Sequence, residues 1–305
     1  MFVLNPDPYL LPCYRISPFT TAEIGFNRNL PNNDCIDDYF SSKFYQKEYY
    51  YTFNGREAIN IALAQYHLQK EDIVTIITTS GNFYISSCVT SEIEKFCKWS
   101  RTINANTKVI LVNHEFGFPC TSLYDLKKTG IPIIEDCAHS FFSTDKNNTI
   151  GTIGDFVIYS IPKMFPIQIG GVLVNNLCSK ISFTNPISKN ELRYIKNVLS
   201  YHIQRKEKII EKRLENHNYI SNEFKKIGFN VHFTILSGNV PGVFMFKKGE
   251  YHIELADLKK YFYAHGIQCS VFYGEESFFI PIHQALNKPD LDYFLEVMKS
   301  FIKNL

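Results

Sequence analysis

The sequence predicts an α/β fold in which a doubly wound sheet occupies about the first 185 residues and a smaller α/β unit the rest. Three observations carry this. Short apolar runs, DIVTIIT at 72–78, KVILVN at 108–113 and PIIE at 132–135, alternate with segments of helical periodicity. The runs are apolar on both faces, as strands covered by helices on either side must be. Beyond Asn190 the pattern changes to a long charged helical stretch, followed by a second set of strands and helices.

Taken in order, residues 1–50 read as an irregular arm with prolines at 6, 8, 12, 18 and 31, and Asp34 to Tyr50 as one short helix within it. Asn54-Gly55 introduces a helix over Arg56–Leu68, whose apolar face is Ala58, Ile59, Ile61, Ala62 and Leu63. The strand at 72–78 is followed by a helix over Ser86–Trp99, the strand at 108–113 by a short helix over Ser122–Thr129. After the strand at 132–135, two further strands, Phe156–Ser160 and Gly171–Asn175, flank the segment IPKMFPIQIG.

The boundary between the two expected domains falls at 185/186. Asn190–Lys226 reads as a helical stretch that either connects to a small domain or pairs in a coiled coil, the former being the simpler reading. Strands at Val243–Lys247 and Gln268–Tyr273, a helix from Ala256 to His265 ended by Gly266, and a last helix from Asp290 to Ile302, capped by Asp290, complete the chain.

The balance of 32 basic and 30 acidic residues gives no reason to expect a nucleic-acid partner. The eight cysteines contain no CxxC pair, so they read as reduced thiols of a cytoplasmic protein, without a disulfide framework or a metal cluster. The N-terminal stretch lacks a basic leader and is broken by prolines. No apolar run is long enough to span a bilayer, so no membrane partner is expected.

Two stretches bear chemistry. In Ile133-Ile134-Glu135-Asp136-Cys137-Ala138-His139-Ser140, an acid sits at the C-terminal end of an apolar strand, where open sheets gather ligand-binding groups. On position alone, Asp136 either faces a ligand or caps the next turn, and His139 is either a site residue or a satisfied histidine. Downstream, Lys163 stands alone in an apolar loop after Ser160 and before Gly170-Gly171. An amine among apolar neighbours loses its proton readily and becomes a nucleophile. A lysine can also extend past its own stem to water.

These residues resemble the DegT-like nucleotide-sugar aminotransferases, which have the type I fold of pyridoxal phosphate (PLP) transferases. The resemblance implies a large mixed sheet flanked by helices and a small C-terminal α/β domain. Asp136 then faces the pyridine nitrogen of the cofactor and stays ionised, and His139 lies near its ring or oxygen. Ser160 holds the phosphate, and Lys163 holds PLP as a Schiff base and moves the substrate proton. Asn54-Gly55-Arg56 matches the phosphate-holding head of the family's first helix. Thr79 to Tyr84 matches the loop whose aromatic stacks on the ring, with Phe83 the first candidate and Tyr84 the second. Asn113 to Pro119, the helix bearing Arg213 and Asn216, and Phe279 to His283 match further segments in the family's order.

The resemblance further implies an amino-acid donor such as glutamate, a nucleotide-linked keto-sugar acceptor in polysaccharide or lipopolysaccharide synthesis, and a homodimer. Two features depart from the family pattern. Only two residues separate Ser160 from Lys163, and the family's partner-reaching segment after Asn175 is missing. The chain is also shorter than is usual for the family. A PLP enzyme acting on another small amino substrate, and a homologue that binds a sugar nucleotide or a partner without turnover, are the competing readings. The roles of Glu135, Tyr159 and His114 stay open at this level.

Overall fold

In the computed structural model, which describes residues 13–184 and 187–305, the apolar runs become strands buried on both faces. The first twelve residues, with the prolines at 6, 8 and 12, and the expected boundary at 185/186 lie outside the described residues. Strands β2 (Ile73–Thr78), β4 (Thr107–Asn113), β5 (Ile133–Asp136) and β6 (Phe156–Ser160) run parallel. β3 (Lys98–Ser100) extends this set at one edge. At the other edge β7 (Gly171–Asn175) is antiparallel to β6, and β1 (Glu48–Thr52) is antiparallel to β7. The order is β1-β7-β6-β5-β4-β2-β3, with β7 alone reversed.

Strand alternation sends side chains to opposite faces, and each face is covered. On one side, Ala58, Ala62 and Leu63 of α3 (Gly55–Ala64) pack with Val74, Val109, Ile134 and Ile158. On the other, Phe40 of α2 (Cys35–Lys43) and Ile195 and Leu199 of α6 (Lys189–Ile203) pack with Val157, Val172 and Val174. The fold is thus α/β, a mixed seven-stranded sheet flanked by helices. A second sheet, β8 (Val243–Lys247), β10 (Ser277–Pro281) and β9 (Ser270–Phe272) in that order, is antiparallel. It shares an apolar core with α7 (Lys206–Lys226), α8 (Leu255–Ala264) and α9 (Lys288–Lys303). An aromatic cluster joins the two parts: Phe116 and Phe118 meet Met245, Phe272 and Phe279.

Several elements differ from the sequence reading. The helix expected over 34–50 ends at Lys43, and Glu48–Thr52 is an edge strand. Its tyrosines suit a pleated surface, and the Tyr49 and Tyr51 hydroxyls donate to Asp37 Oδ1 at 3.1 and 2.7 Å. The helix expected through Trp99 is α4 (Ser87–Ile93), after which the chain turns into β3. The long stretch from Asn190 is two helices, α6 and α7, broken at Gln204-Arg205 where no glycine or proline marks the break. α9 is capped by Asn287; Asp290 instead takes the third helical position and closes a capping box.

All eight cysteines are free, with Cys97, Cys120, Cys137 and Cys269 buried. Among the described residues no helix is long and apolar enough to cross a membrane.

Candidate active site

The C-terminal ends of β4, β5 and β6 lie side by side, with Asn113 in register with Asp136 and Ser160 with Gly171. Because β7 is reversed, its first residue lies at the same end, and Thr52, the last residue of β1, pairs with it. A cavity of about 400 Å³ opens there, between this sheet end and the wall formed by Tyr263, Ser270 and Phe279. Open α/β sheets bind ligands at this end.

Two glycines allow the cavity to be built. A Cβ on Gly171 would lie 2.5 Å from Thr52 Oγ1 and 2.6 Å from the Asn54 carbonyl carbon, so only glycine lets the head of α3 sit against β7. A Cβ on Gly55 would lie 3.2 Å from the Ser160 Cβ. The first turn of α3 is thereby brought against Ser160. Asn54, Gly55 and Arg56 all line the cavity. The Asn54 side chain is the helix cap, accepting from the Glu57 N–H at 3.0 Å, so this segment presents backbone and the Arg56 side chain.

Asp136 is buried and faces the cavity. Its Oδ2 accepts from the Asn113 amide at 2.7 Å and its Oδ1 from the Ala138 N–H at 3.0 Å. Burial raises its proton affinity, against the lowering effect of these donors, His114 and Lys163. Desolvation thus outweighs the two hydrogen bonds in the direction of the shift. Lys163 lines the same cavity from the short turn Ile161–Lys163. Burial lowers its proton affinity, with Cys88 and Asp136 opposing. His139 is held well below the usual histidine range by burial and by the charges of Lys163 and Arg213, so it is neutral. Its ring lies 5.1 Å from that of Phe116.

The structure brings Asn54, Gly55, Arg56, Asp136, His139, Ser160 and Lys163 to one cavity. Phe83 is the exception: it is 65% exposed and leans on Trp99, with ring centroids 6.1 Å apart. Tyr84 lines the cavity in its place, packed on Phe272 at 5.3 Å. Asn82 sets this direction. The Asn82 amide donates to the Tyr273 carbonyl at 2.8 Å, and the Phe83 N–H donates to Asn82 Oδ1 at 2.6 Å, which fixes the loop with its next residue turned inward.

Glu135 does not belong to the cavity wall. Fully buried, it accepts from the N–H groups of Gly151, Ile153 and Gly154 at 2.7, 3.0 and 2.6 Å, and pairs with His114 Nε2 at 3.2 Å. His114 Nδ1 accepts from the Cys120 N–H at 3.0 Å, so the Nε2 proton goes to Glu135. Tyr159 is buried in the core on the side facing away from α3. The three residues left open by the sequence thus hold the structure behind the site. Asn113 also lines the cavity and was not among the sequence's site candidates, although its place at the end of an apolar strand is the same signal that marked Asp136.

Comparison with known proteins agrees with this architecture. The aminotransferase TlmJ from Streptoalloteichus hindustanus superposes with a TM-score of 0.72 at 12% identity, covering 94% of this chain and 98% of that one. The E. coli GDP-4-keto-6-deoxy-D-mannose-3-dehydratase, solved with bound hydrated PLP, gives 0.68 at 16% identity, covering 94% and 100%. In sequence, GDP-perosamine synthases of Escherichia coli O157:H7 and Vibrio cholerae are each 28% identical over 180 residues, 47% of this chain. The chain spans about half the length of these curated relatives, 49% and 48%. The model of the DegT/DnrJ/EryC1/StrS aminotransferase family matches residues 25–176, the stretch that holds Asp136, Ser160 and Lys163, and the chain belongs to that family.

Proposed function

We propose that this chain is a PLP-dependent aminotransferase that moves an amino group from an amino acid, glutamate being the expected donor, to a keto-sugar carried on a nucleotide. The observation that carries the reading is Lys163: a deeply set amine of lowered proton affinity sharing one cavity with Asp136. The two GDP-perosamine synthases among the relatives support a guanosine-diphosphate-linked sugar as the acceptor class. In this proposal the protein is a cytoplasmic homodimer serving polysaccharide synthesis, with two domains, the first including α6, which packs on the large sheet.

The residues present fit the cofactor. The approach of α3 to Ser160, eased because position 55 has no Cβ, makes a cradle of backbone N–H groups and a hydroxyl suited to a phosphate. Lys163 would hold the carbonyl end, Asp136 the ring nitrogen, and Tyr84 and His139 the ring. PLP supplies an electron sink that stabilises negative charge at the substrate carbon. Lys163 Nζ, its proton affinity lowered by burial, can take a proton from substrate and return it. Asp136, with raised proton affinity, can share a proton with a basic nitrogen facing it, while the Asn113 amide and the Ala138 N–H keep its carboxyl in one orientation. Neutral His139 adds no charge to compete with that of Asp136.

The test is spectroscopic. The purified chain should gain a visible absorption band with PLP, the band should change on adding glutamate, and Lys163→Ala should lack it. A wild-type chain that stays colourless sinks the proposal. Sedimentation tests the dimer, and a screen of amino donors against nucleotide-linked keto-sugars identifies the substrates.

A further inference from the structure

The loop bearing Lys163 is held by its carbonyl oxygens. Ile161 O accepts from the N–H groups of Met164 and Phe165, both at 3.0 Å, and Phe165 O from that of Ile167 at 2.9 Å. Each of the other four carbonyls between Ile161 and Pro166 takes a side-chain donor from a different part of the chain. Ser17 Oγ donates to Pro162 O at 2.7 Å, and Asn27 Nδ2, on α1 (Ala22–Arg28), to Pro166 O at 2.8 Å. Arg213 Nη2, on α7, donates to Lys163 O at 3.2 Å, and Gln284 Nε2 to Met164 O at 2.8 Å.

Arg213 is the centre of this arrangement. It is fully buried, and the three groups that accept from it are an amide oxygen and two backbone carbonyls. Its Nε donates to Gln284 Oε1 at 2.8 Å and its Nη1 to Pro241 O at 3.2 Å. Burying a cation against carbonyls and an amide is costly unless the geometry is well satisfied. A planar guanidinium can reach three acceptors fixed in different directions, which an ammonium on a shorter reach cannot do equally well. Gln284 bridges the two grips, accepting from Arg213 and donating to Met164 O.

We infer that Arg213 and Gln284, with Ser17 and Asn27, are positioning residues that hold the loop from Ile161 to Pro166 by its carbonyls and so aim the Lys163 amine into the cavity. The donors lie outside the loop itself. The loop contains only Ile161 and Pro162 between Ser160 and Lys163, and Pro162 has no N–H with which to bond internally. Fixing the backbone on both sides of Lys163 leaves only its side chain to move. The neighbouring charge of Arg213 also acts on His139. The inference rests on Lys163 as the cofactor-holding residue, and its test is chosen to separate the two.

Full-length Gln284→Ala, Arg213→Lys and Arg213→Met are compared with the wild type, each first shown to be folded by circular dichroism and thermal midpoint. In the cofactor-free chain, peptide-resolved labelling with a small amine reagent across pH gives the midpoint for Lys163. With added PLP, absorption gives the affinity. Gln284→Ala and Arg213→Met should move the labelling midpoint up toward that of an exposed lysine and weaken PLP binding by about tenfold or more. Arg213→Lys should fall between Arg213→Met and the wild type. If Arg213→Met does not fold, Gln284→Ala, at a half-buried position, carries the test. A folded Gln284→Ala with both readouts unchanged overturns the inference. If the wild type takes up no PLP, the proposed function fails while the labelling midpoint still decides the positioning.

Discussion

Replacing Glu135 by glutamine tests the frame behind the site. The carboxylate accepts four hydrogen bonds with no exposure to water: Ile153 and Gly154 on one oxygen, Gly151 and His114 on the other. Glutamine keeps the shape and one acceptor oxygen, but its NH₂ group must face two N–H donors. Leaving a buried donor unsatisfied costs about 1–3 kcal/mol, so Glu135→Gln should lose about 2–6 kcal/mol, a large part of the roughly 5–15 kcal/mol that holds a typical fold. Urea unfolding followed by circular dichroism measures this. A loss under about 1 kcal/mol would show that the turn at 151–154 does not depend on the carboxylate, and the reasoning would be wrong. Because the next residue is Asp136, the same variant should also weaken PLP binding.

Other outcomes follow from single contacts. Lys43 is surrounded by the rings of Phe141 and Tyr159, at 5.4 and 5.5 Å, and burial pushes its amine down to about 8 from 10.5. Between those values the unfolded chain binds more protons, so wild-type stability should rise with pH across that window. Lys43→Met should abolish the rise and stabilise the fold at pH 7 by about 2 kcal/mol, the desolvation relief less the lost ring contacts; urea melts at pH 7 and 10 that shift equally in both proteins would contradict this. Tyr84→Leu should weaken PLP binding about fivefold to tenfold, the worth of an aromatic contact, whereas Phe83→Leu should leave an absorption titration unchanged. Asn287→Ala removes the α9 cap and should cost about 1 kcal/mol in thermal or urea unfolding.

The central strands were legible because burial on both faces leaves an apolar run that few other structures produce. β1 and β3 were not: one is tyrosine-rich with polar groups at the sheet edge, the other only three residues long. Asp136, Ser160 and Lys163 could be read because each lies at or just after a strand end, so local sequence marks its place. The choice between Phe83 and Tyr84 could not, since adjacent loop residues point in different directions and the direction is set by Asn82 reaching Tyr273, 191 residues away. The grip on the lysine loop was equally hidden. Arg213 lies 50 residues from Lys163 and Gln284 lies 120 from Met164, and no local pattern records such partners.

Those separations also govern when the loop can reach its final shape. Ser17 meets Pro162 across 145 residues, and the donor to Met164 arrives only when residue 284 is in place. Closing such long loops costs chain entropy that local strand and helix formation does not, so they close late in folding. During synthesis the parallel strands can pair before α7 or Gln284 has been made, leaving the lysine in an ungripped loop. If the grip sets the aim of the amine, its competence should follow the formation of the large sheet, and on refolding the return of cofactor absorption should lag behind the return of backbone structure.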